Sequence, residues 1–313
     1  MSLFVKRAGR AEWQKLATLP LHSLKSLAAR NRLAARLLRG GVDHVVFDRG
    51  TPVILACGHV FRCDLDARRA QLVGRISGSR PLTVASTREG RLYYGEYGNN
   101  ADRKPIRVWC SEDGGSVWSV AWTFNRVRHV HGVFQDPYSD AIWVTTGDND
   151  EECGLWRTDD HFQHLHRVAG GSQQTRVIDL LFTPSAIYFG TDTPSEPNFI
   201  YRMARDGGVP DQLLRVEGSV FHACQAGKYL VFSTACEPSS VNTERTATVW
   251  ASADGTQWRR VASFHKDSLP MKLFQYGQVY LAGRLGSETN VVWVTPFATS
   301  ESCRSHRIDL GGN

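Results

Sequence analysis

SEDGGSVW (residues 111–118) and SADGTQW (residues 252–258) each set an aspartate and a glycine in a polar turn that ends on a tryptophan. Two weaker turns, TDDHF (158–162) and ARDGG (204–208), keep the aspartate. The steps between the four turns are 47, 46 and 48 residues, measured at Asp113, Asp160, Asp206 and Asp254. A nearly constant step of this length is typical of a tandem structural repeat.

Apolar segments with period-2 patterning lie in phase with these turns. A segment that ends in a small and then a polar residue recurs as VILACG (53–58), LYYGEYG (92–98), IWVTTGD (142–148), IYFGTDT (187–193), YLVFSTACE (229–237) and VYLAGRLG (279–286). Another apolar segment precedes most of them, as PLTVAST, RHVHGVF, VIDLLFT, VFHACQA and MKLFQYG. Each repeat therefore predicts strand, strand, strand, aspartate turn and strand.

Four strands in about 45 residues are the pattern of a β-propeller blade. Six repeats fit, over residues 41–76, 77–124, 125–171, 172–218, 219–264 and 265–310. We therefore predict an all-β, six-bladed propeller, with residues 41–313 as the propeller domain and 1–40 as an N-terminal extension of strands and a short helix. The segment LFVKRAGRAEWQKLATL (3–19) resembles two outer blade strands, which leaves seven blades as the alternative.

Residues 21–39 lack a strand pattern and predict a helix. Apolar residues fall near helical spacing at Leu24, Leu27, Ala34, Leu37 and Leu38, and Gly40-Gly41 ends the segment. We expect the apolar face to pack on the propeller. Peripheral contact of this basic segment with an anionic membrane is the alternative.

Composition and charge limit the partners. Hydrophobic residues make up 42% of the 313 residues, with nine tryptophans, as in a folded, aromatic-rich protein. The formal charge of +6 is a mild bias toward anionic partners, and it falls short of the basic stripe of nucleic-acid-binding proteins. We therefore expect no nucleic-acid partner.

Cysteine usage and hydropathy give an expected location. The seven cysteines have no paired spacing, and Cys57, Cys224 and Cys236 lie in apolar runs, which predicts free thiols in a reducing compartment. No apolar run approaches the roughly 18 residues of a membrane span, and residues 1–14 lack the apolar core of a secretion signal. We expect a cytoplasmic protein without a transmembrane segment.

The turn SEDGGSVW resembles the Asp box, S-x-D-x-G-x-x-W, of sialidase-like (BNR-repeat) propellers, and SADGTQW resembles a shorter version. The resemblance covers about residues 41–310. Within that family the chain resembles an uncharacterised bacterial branch. It implies a fold that sialidases, other glycosidases and some polysaccharide lyases share. No clear counterpart of the sialidase Arg-Ile-Pro motif and no assignable arginine triad accompany it, so a true sialidase is not expected.

The candidate site residues follow from the blade pattern. In a propeller the first strand of each blade lines the channel, and its neighbouring loops form the mouth of the axial funnel. Polar residues on predicted first strands are His129, His131, Asp179, His222 and Gln275. Those at or after predicted second-strand ends are Glu96, Tyr97, Asn99, Asp148, Asp192, Glu237 and Arg284. Such residues are costly to bury unless they are paired or functional.

His129 and His131 are predicted to share one face of a strand, because strand side chains alternate. Three interpretations stay open: an acid/base pair acting on a glycan, a metal site with Asp148, or two histidines hydrogen-bonded for structure. We favour proton transfer and predict no cofactor, with a divalent metal at His129 and His131 as the alternative. No phosphate-binding glycine loop, nucleotide fingerprint or CxxC pair points to another cofactor.

The sequence predicts a glycoside hydrolase or polysaccharide lyase that acts on an acidic oligosaccharide or polysaccharide. The expected catalytic residues are His129, His131, Glu96, Tyr97 and Asp148, and the expected substrate-binding residues are Asn99, Asp192, His222, Glu237, Lys266 and Arg284. In a hydrolase, Glu96 would pair with Asp148 or Asp192 as acid and base. In a lyase, a histidine and Tyr97 would move the proton. The alternative is a non-catalytic glycan-binding or assembly factor in surface polysaccharide biosynthesis.

Overall fold

The computed structural model of the chain describes residues 2–5, 12–21, 31–78, 80–282 and 289–312. Within those ranges the chain is an all-β, six-bladed propeller with two α-helices. The predicted fold class is confirmed, and the seven-bladed alternative is wrong. Contacts divide the chain into two units: unit 1 holds residues 1–135, 140–142 and 159–164, and unit 2 holds 136–139, 143–158 and 165–313.

Unit 1 carries the first eleven strands and one helix. The strands are β1 Ser2–Val5, β2 Gln14–Thr18, β3 Val42–Asp48, β4 Thr51–Ala56, β5 His59–Asp64, β6 Arg69–Arg75, β7 Val84–Ser86, β8 Leu92–Gly95, β9 Ile106–Ser111, β10 Ser119–Phe124 and β11 His129–Gln135. The helix α1 spans Arg32–Leu38.

Unit 2 carries the remaining strands, with the first residue of β12 assigned to unit 1. They are β12 Ile142–Gly147, β13 Gly154–Thr158, β14 His166–Gly170, β15 Val177–Phe182, β16 Ala186–Thr191, β17 Asn198–Ala204, β18 Asp211–Val216, β19 Val220–Ala226, β20 Tyr229–Thr234, β21 Thr246–Ser252, β22 Arg259–His265, β23 Gln278–Leu281, β24 Val291–Phe297 and β25 His306–Asp309. A 3₁₀ turn covers Gln173–Thr175, and helix α2 covers Met271–Phe274.

Strand order follows chain order within each blade. Among the described residues the sheets are β3–β6, β7–β10, β11–β14, β15–β18 and β19–β22, with three strands in the last blade, β23–β25. The second strands β8, β12 and β16 are buried at every position, whereas the fourth strands β10, β14 and β18 are mostly exposed or half-buried. The apolar runs in the sequence are thus strands covered on both faces.

The last blade departs from the predicted strand order. MKLFQYG was expected to form a first strand, but Met271–Phe274 is a helical turn and Gln275 follows it with a positive φ of 68°. The segment predicted as a second strand (279–286) overlaps β23, which is the first strand of this blade among the described residues. Pro270 accounts for the change, because proline is tolerated at a helix start and the Phe274 and Leu273 amides bond back to its carbonyl.

The aspartate turns connect third and fourth strands, as predicted. At Asp113, between β9 and β10, the carboxylate oxygen Oδ1 accepts hydrogen bonds from the Ser111 hydroxyl at 2.7 Å and from the Ser116 and Val117 amides at 3.0 Å. Gly114 and Gly115 have φ values of 71° and 93°, a region that side chains disfavour. The carboxylate therefore replaces the backbone partners that the tight turn lacks.

The tryptophan that ends each complete turn packs against the second strand of its own blade. Trp118 meets Tyr94 edge-on at 4.6 Å between ring centroids, and Trp258 lies 5.5 Å from Phe232. Both tryptophans border apolar clusters of their own units. These contacts explain why the aspartate, glycine and tryptophan recur together.

The N-terminal residues contribute core and an exposed helix. β1 and β2 pair antiparallel, and Ala17 and Leu19 are buried in one cluster with Ile54 and Phe61. The helical prediction holds for Arg32–Leu38, but Leu37 and Leu38 are exposed while Arg36 is buried. The expected packing of those two leucines is therefore wrong, and Leu24 and Leu27 lie outside the described residues.

The cysteines agree with the prediction of free thiols. All seven cysteines are free thiols, and Cys224 and Cys236 are buried while Cys57 is partly buried. Burial raises the pKa of Cys224 to about 12, so this thiol stays protonated at neutral pH. In the described ranges no helix is long and apolar enough to cross a bilayer.

Candidate functional site

His129 and His131 lie on one face of β11 in unit 1, as the strand alternation predicts. Both side chains are buried, with 5% and 1% of their surface exposed. Their Nε2 atoms face each other across 3.1 Å. Two imidazoles at this distance either share one proton or hold one ion between them.

The backbone fixes the protonation pattern of this pair. His129 Nδ1 lies 3.2 Å from the carbonyl oxygen of Gly98, and a carbonyl can only accept, so Nδ1 carries a proton. In the neutral ring Nε2 is then an acceptor, and His131 Nε2 donates to it. One proton fits between the two rings, because a second would set two N–H groups against each other.

Tyr97 covers the imidazole pair. Its ring centroid lies 4.3 Å from that of His129 and 6.2 Å from that of His131. Tyr97 follows β8, the second strand of the preceding blade, so neighbouring blades bring the three side chains together. A phenol beside two imidazoles provides proton donors and acceptors in a buried site.

Glu96, the residue before Tyr97, is buried and fully engaged. One carboxylate oxygen accepts from the Trp109 indole at 3.0 Å, and the other accepts from the Arg107 amide at 3.1 Å. Its carbonyl accepts from the Val130 amide at 3.0 Å. These bonds tie the end of β8 to β9 and β11 and position Tyr97, while the predicted acid/base role of Glu96 stays a prediction.

Asn99 lies on the rim of this group in unit 1. Its side-chain oxygen accepts from Arg128 Nη2 at 3.3 Å. Arg128 directly precedes β11 and thus His129. The predicted substrate-binding role of Asn99 stays a prediction, with an arginine now placed beside it.

A second group of polar residues lies in unit 2, around Arg176. The guanidinium Nη2 lies 3.1 Å from Asp148 Oδ1, and Nε lies 3.5 Å from Asp192 Oδ2. Asp148 follows β12 and Asp192 follows β16, so each carboxylate comes from the end of a second strand. The predicted convergence of second-strand ends is therefore found within this unit.

Burial alters the acidity of this group. Burial raises the pKa of Asp192 to about 7, against the opposing charge of Arg176 and with the further effect of nearby Glu237. Burial likewise raises the pKa of Glu237, although a hydrogen bond with the Tyr276 hydroxyl opposes it. Asp192 can therefore gain and lose a proton near neutral pH, as general acid/base chemistry requires.

Glu237 reaches this group through a bridge between blades. The neighbouring Cys236 amide donates to the Gly277 carbonyl at 2.6 Å, which connects the chain after β20 to the residue before β23. Tyr276 is therefore placed beside Glu237. An aromatic group continues from there: Phe221 meets Tyr276 at 6.5 Å, and His222 meets Tyr280 at 4.9 Å.

The other predicted residues have different surroundings. The Lys266 side chain is buried, and Nζ contacts the Asp267 carboxylate and the Leu269 carbonyl, so it holds the turn before α2. Asp179 accepts from the Leu180 and Ala223 amides and joins β15 to β19. Arg284 lies outside the described residues. His129 and His131 belong to unit 1 and Asp148 to unit 2, so a three-residue site stays a prediction.

Sequence reasoning missed Arg176, which organises the acidic group. A signal was present, since Arg128 and Arg176 each stand directly before a first strand, one repeat length apart. Aligning the repeats on the residue before the first strand would have identified both arginines.

Sequence comparison gives no relatives: no protein-family model matches the chain, and no curated protein matches it. Solved structures do share its fold. An oligogalacturonate lyase in complex with manganese is 11% identical, with a TM-score of 0.54 over 78% of this chain and 75% of the lyase. A chain of a nidogen–laminin complex is also 11% identical, with a TM-score of 0.50 over 76% and 82%.

A glycosidase shares the fold as well. A GH74 xyloglucanase from Xanthomonas campestris is 15% identical, with a TM-score of 0.56 over 86% of this chain and 45% of the xyloglucanase. This chain thus spans less than half of that enzyme. At these identities the comparisons establish a propeller fold that carbohydrate-active enzymes use and a nidogen–laminin complex also contains.

Proposed function

We propose that this protein is a carbohydrate-active enzyme that cleaves an acidic glycan by β-elimination. The observation that carries the proposal is the contact of the two buried Nε2 atoms of His129 and His131 beneath the Tyr97 ring. The manganese-bound lyase fold and the net charge of +6 are consistent with it. β-Elimination begins with the removal of one proton, and the His129/His131 pair can hold and transfer one proton.

In this reaction His131 takes the proton on the carbon beside the uronate carboxylate through Nδ1, the ring nitrogen that is unprotonated when its Nε2 donates to His129. The electrons of that C–H bond form a C=C bond, and the C–O bond to the leaving sugar breaks. The leaving oxygen takes a proton from the Tyr97 phenol or from the imidazole pair. The Gly98 carbonyl keeps His129 oriented throughout.

Product analysis tests the proposal. Incubation with a panel of acidic polysaccharides should give oligosaccharides with an unsaturated, ultraviolet-absorbing end. His131→Ala and Tyr97→Phe should each lower the rate by about a hundredfold or more, the usual size of a lost proton-transfer group. His166→Ala is the control, since His166 is exposed on an outer strand. Glycan binding without any product from the parent protein would instead support the non-catalytic alternative.

The same histidines fit a divalent metal as an alternative to proton transfer, because an Nε2 atom that binds a metal cannot also hold the shared proton. Their Nε2 atoms face each other, and His129 already directs its other ring nitrogen to a backbone carbonyl, the usual outer contact of a metal-bound histidine. The participation of Asp148 stays a prediction from the sequence, in which a carboxylate would complete such a donor set. A bound metal would stabilise the charge that develops on the substrate carboxylate.

Metal content and thermal stability test this cofactor together. If this metal alternative is right, protein purified without a histidine tag should carry close to one ion per chain and should lose melting temperature after chelation. His129→Ala should abolish both effects, whereas His166→Ala should preserve them. A metal content far below one ion per chain, with no effect of chelator or added manganese, would reject the metal.

Hydrolysis is the second candidate, and the Arg176 group favours it. Asp192, with its pKa raised to about 7, would act as the acid, and Asp148 on the same guanidinium would act as the base. New reducing ends without unsaturation would identify this route. Asp192→Asn should then lower the rate far more than Asp206→Asn, which changes an exposed turn.

Three finer interpretations belong with this proposal. The hydrogen bonds at Asp113 and Asp254 support the resemblance to sialidase-like propellers. The free cysteines support the proposed cytoplasmic location. Peripheral membrane contact by residues 21–39 also stays a proposal, and only the part from Asn31 onward lies within the described residues.

A further inference from the structure

We propose that unit 2 contains a subsite that binds a neutral pyranose ring. This aromatic subsite consists of His222, Gln278 and Tyr280, with Tyr276 joined to them through Phe221, whose ring contacts those of Tyr276 and His222. Residues from β19, β23 and the loop before β23 build it. This inference rests on the proposed function only in taking the ligand to be a glycan. It implies that the acidic substrate also contains a neutral sugar.

Partly exposed aromatic rings are the first observation. Tyr276 and Tyr280 each expose 40% of their surface. Each ring makes a T-shaped contact with a half-buried aromatic neighbour: Phe221 contacts Tyr276, and Phe297 contacts Tyr280. A held ring with an accessible surface loses little entropy when an apolar sugar face stacks on it.

Oriented polar groups are the second observation. His222 Nε2 lies 3.2 Å from the Gln278 side-chain oxygen, and the Gln278 amide donates to the Tyr280 hydroxyl at 3.1 Å. This chain of contacts fixes the direction of each group. Sugar binding sites combine such fixed polar groups with aromatic surface, because a pyranose has an apolar face and a hydroxylated edge.

Position is the third observation. The backbone bond between Cys236 and Gly277 places Tyr276 beside Glu237, and the pKa of Glu237 responds to both the Tyr276 hydroxyl and the Arg176 guanidinium. A sugar ring on Tyr276 would therefore lie beside carboxylates of the same unit. A uronate here would add a carboxylate to a group in which the Arg176 guanidinium already faces Asp148 and Asp192, so the subsite should select a neutral sugar over a uronate.

Binding measurements test the subsite without requiring turnover. Cellohexaose, a neutral oligosaccharide of flat pyranose rings, should bind the full chain and should shift the tyrosine signals in NMR spectra. Hexagalacturonate should bind this subsite at least about tenfold more weakly, which corresponds to about 1.4 kcal/mol.

Variants locate the binding. Tyr280→Ala and Tyr276→Ala should each weaken cellohexaose binding by about tenfold or more, whereas Tyr280→Phe, which keeps the ring, should stay within about threefold. Tyr138→Ala is the control, since Tyr138 is exposed to 47% in the same unit. Thermal melts of all variants identify any loss of folding. If a variant does not fold, the tyrosine NMR signals of the parent protein decide whether cellohexaose binds at the subsite.

The outcomes separate this subsite from the proposed reaction. No cellohexaose binding by the parent protein, or undiminished binding by the Tyr276→Ala/Tyr280→Ala variant, would overturn the subsite while acidic-glycan cleavage could still be present. Cellohexaose binding by a parent protein that forms no cleavage product from any acidic glycan would support the subsite and contradict the proposed lyase activity.

Discussion

A single carboxylate at Asp254 organises the turn between β21 and β22. It accepts from the Ser252 hydroxyl at 2.9 Å and from the Thr256 and Gln257 amides at 2.8 Å. The hydrogen bonds from Gln257 and Thr256 lower the pKa of Asp254 to about 2. Only the ionised form can accept all of them at full strength, which makes this turn sensitive to acid.

We expect Asp254→Ala to lower the melting temperature at neutral pH and to lose its effect in acid. Because the folded pKa lies below the ordinary value of 3.8, the stabilisation is present above that value and disappears as the pH falls through about 2. Melting curves between pH 2 and pH 7 measure it. Asp206→Ala, in a degenerate exposed turn, is the control, and a difference that persists unchanged in acid would contradict the assignment.

At the level of strands and turns, the regular repeat made most of the fold predictable. The turns at Asp113 and Asp254 set the phase, and the period-2 alternation of β11 is enough to place His129 and His131 on one face. The failures lie where local residues override the repeat. Pro270 starts a helical turn in place of a strand, and Arg176 carries no motif apart from its place before β15.

Contacts between residues that lie far apart along the chain could not be predicted from the sequence. Glu96 fits the predicted strand end, yet Trp109 and Arg107 occupy its carboxylate. The leucines of α1 have helical spacing, yet Leu37 and Leu38 are exposed. Spacing shows which residues share a face, but not what that face meets.

The acidic strand ends of unit 2 give a prediction about stability and pH. Asp192 has a folded pKa of about 7, above the ordinary 3.8, so the folded protein binds more protons than the unfolded chain between these values. Stability contributed by the protonated carboxyl is therefore lost as the pH rises through about 7. Asp192→Asn mimics the protonated form and should flatten this dependence.

Chemical denaturation at pH 5 and pH 8 measures the effect. Relative to the parent, Asp192→Asn should gain stability by up to about 1.4 kcal/mol per pH unit between pH 5 and about 7, where only the folded state keeps this carboxyl protonated. Asp206→Asn should run parallel to the parent, because Asp206 is exposed. A parallel course for Asp192→Asn as well would show that the carboxyl is ionised throughout.

For the molecule as a whole, the N-terminal strands are joined to a core beyond the predicted boundary at residue 40. Leu19 is 1% exposed and packs in one cluster with Ile54 and Phe61 of the first blade. We expect Leu19→Ala to lower the free energy of unfolding by about 2–5 kcal/mol, the range for a buried leucine.

Leu33→Ala is the matched control, since Leu33 is 52% exposed and should change stability by no more than about 0.5 kcal/mol. Denaturant unfolding of both variants decides the question. Equal effects would make residues 1–40 a separate extension, whereas a large effect at Leu19 alone would make them part of the propeller domain.

The backbone bonds that join consecutive blades set how the molecule opens. The Val130 amide donates to Glu96 and the Cys236 amide to Gly277, and in each pair the partners belong to neighbouring blades. In heavy water such an amide exchanges its hydrogen only when two blades separate, not when one hairpin frays. The exchange rates of the Val130 and Cys236 amides therefore report blade separation, one in each unit. A bound glycan that holds neighbouring blades together would slow exchange of the amide in its own unit.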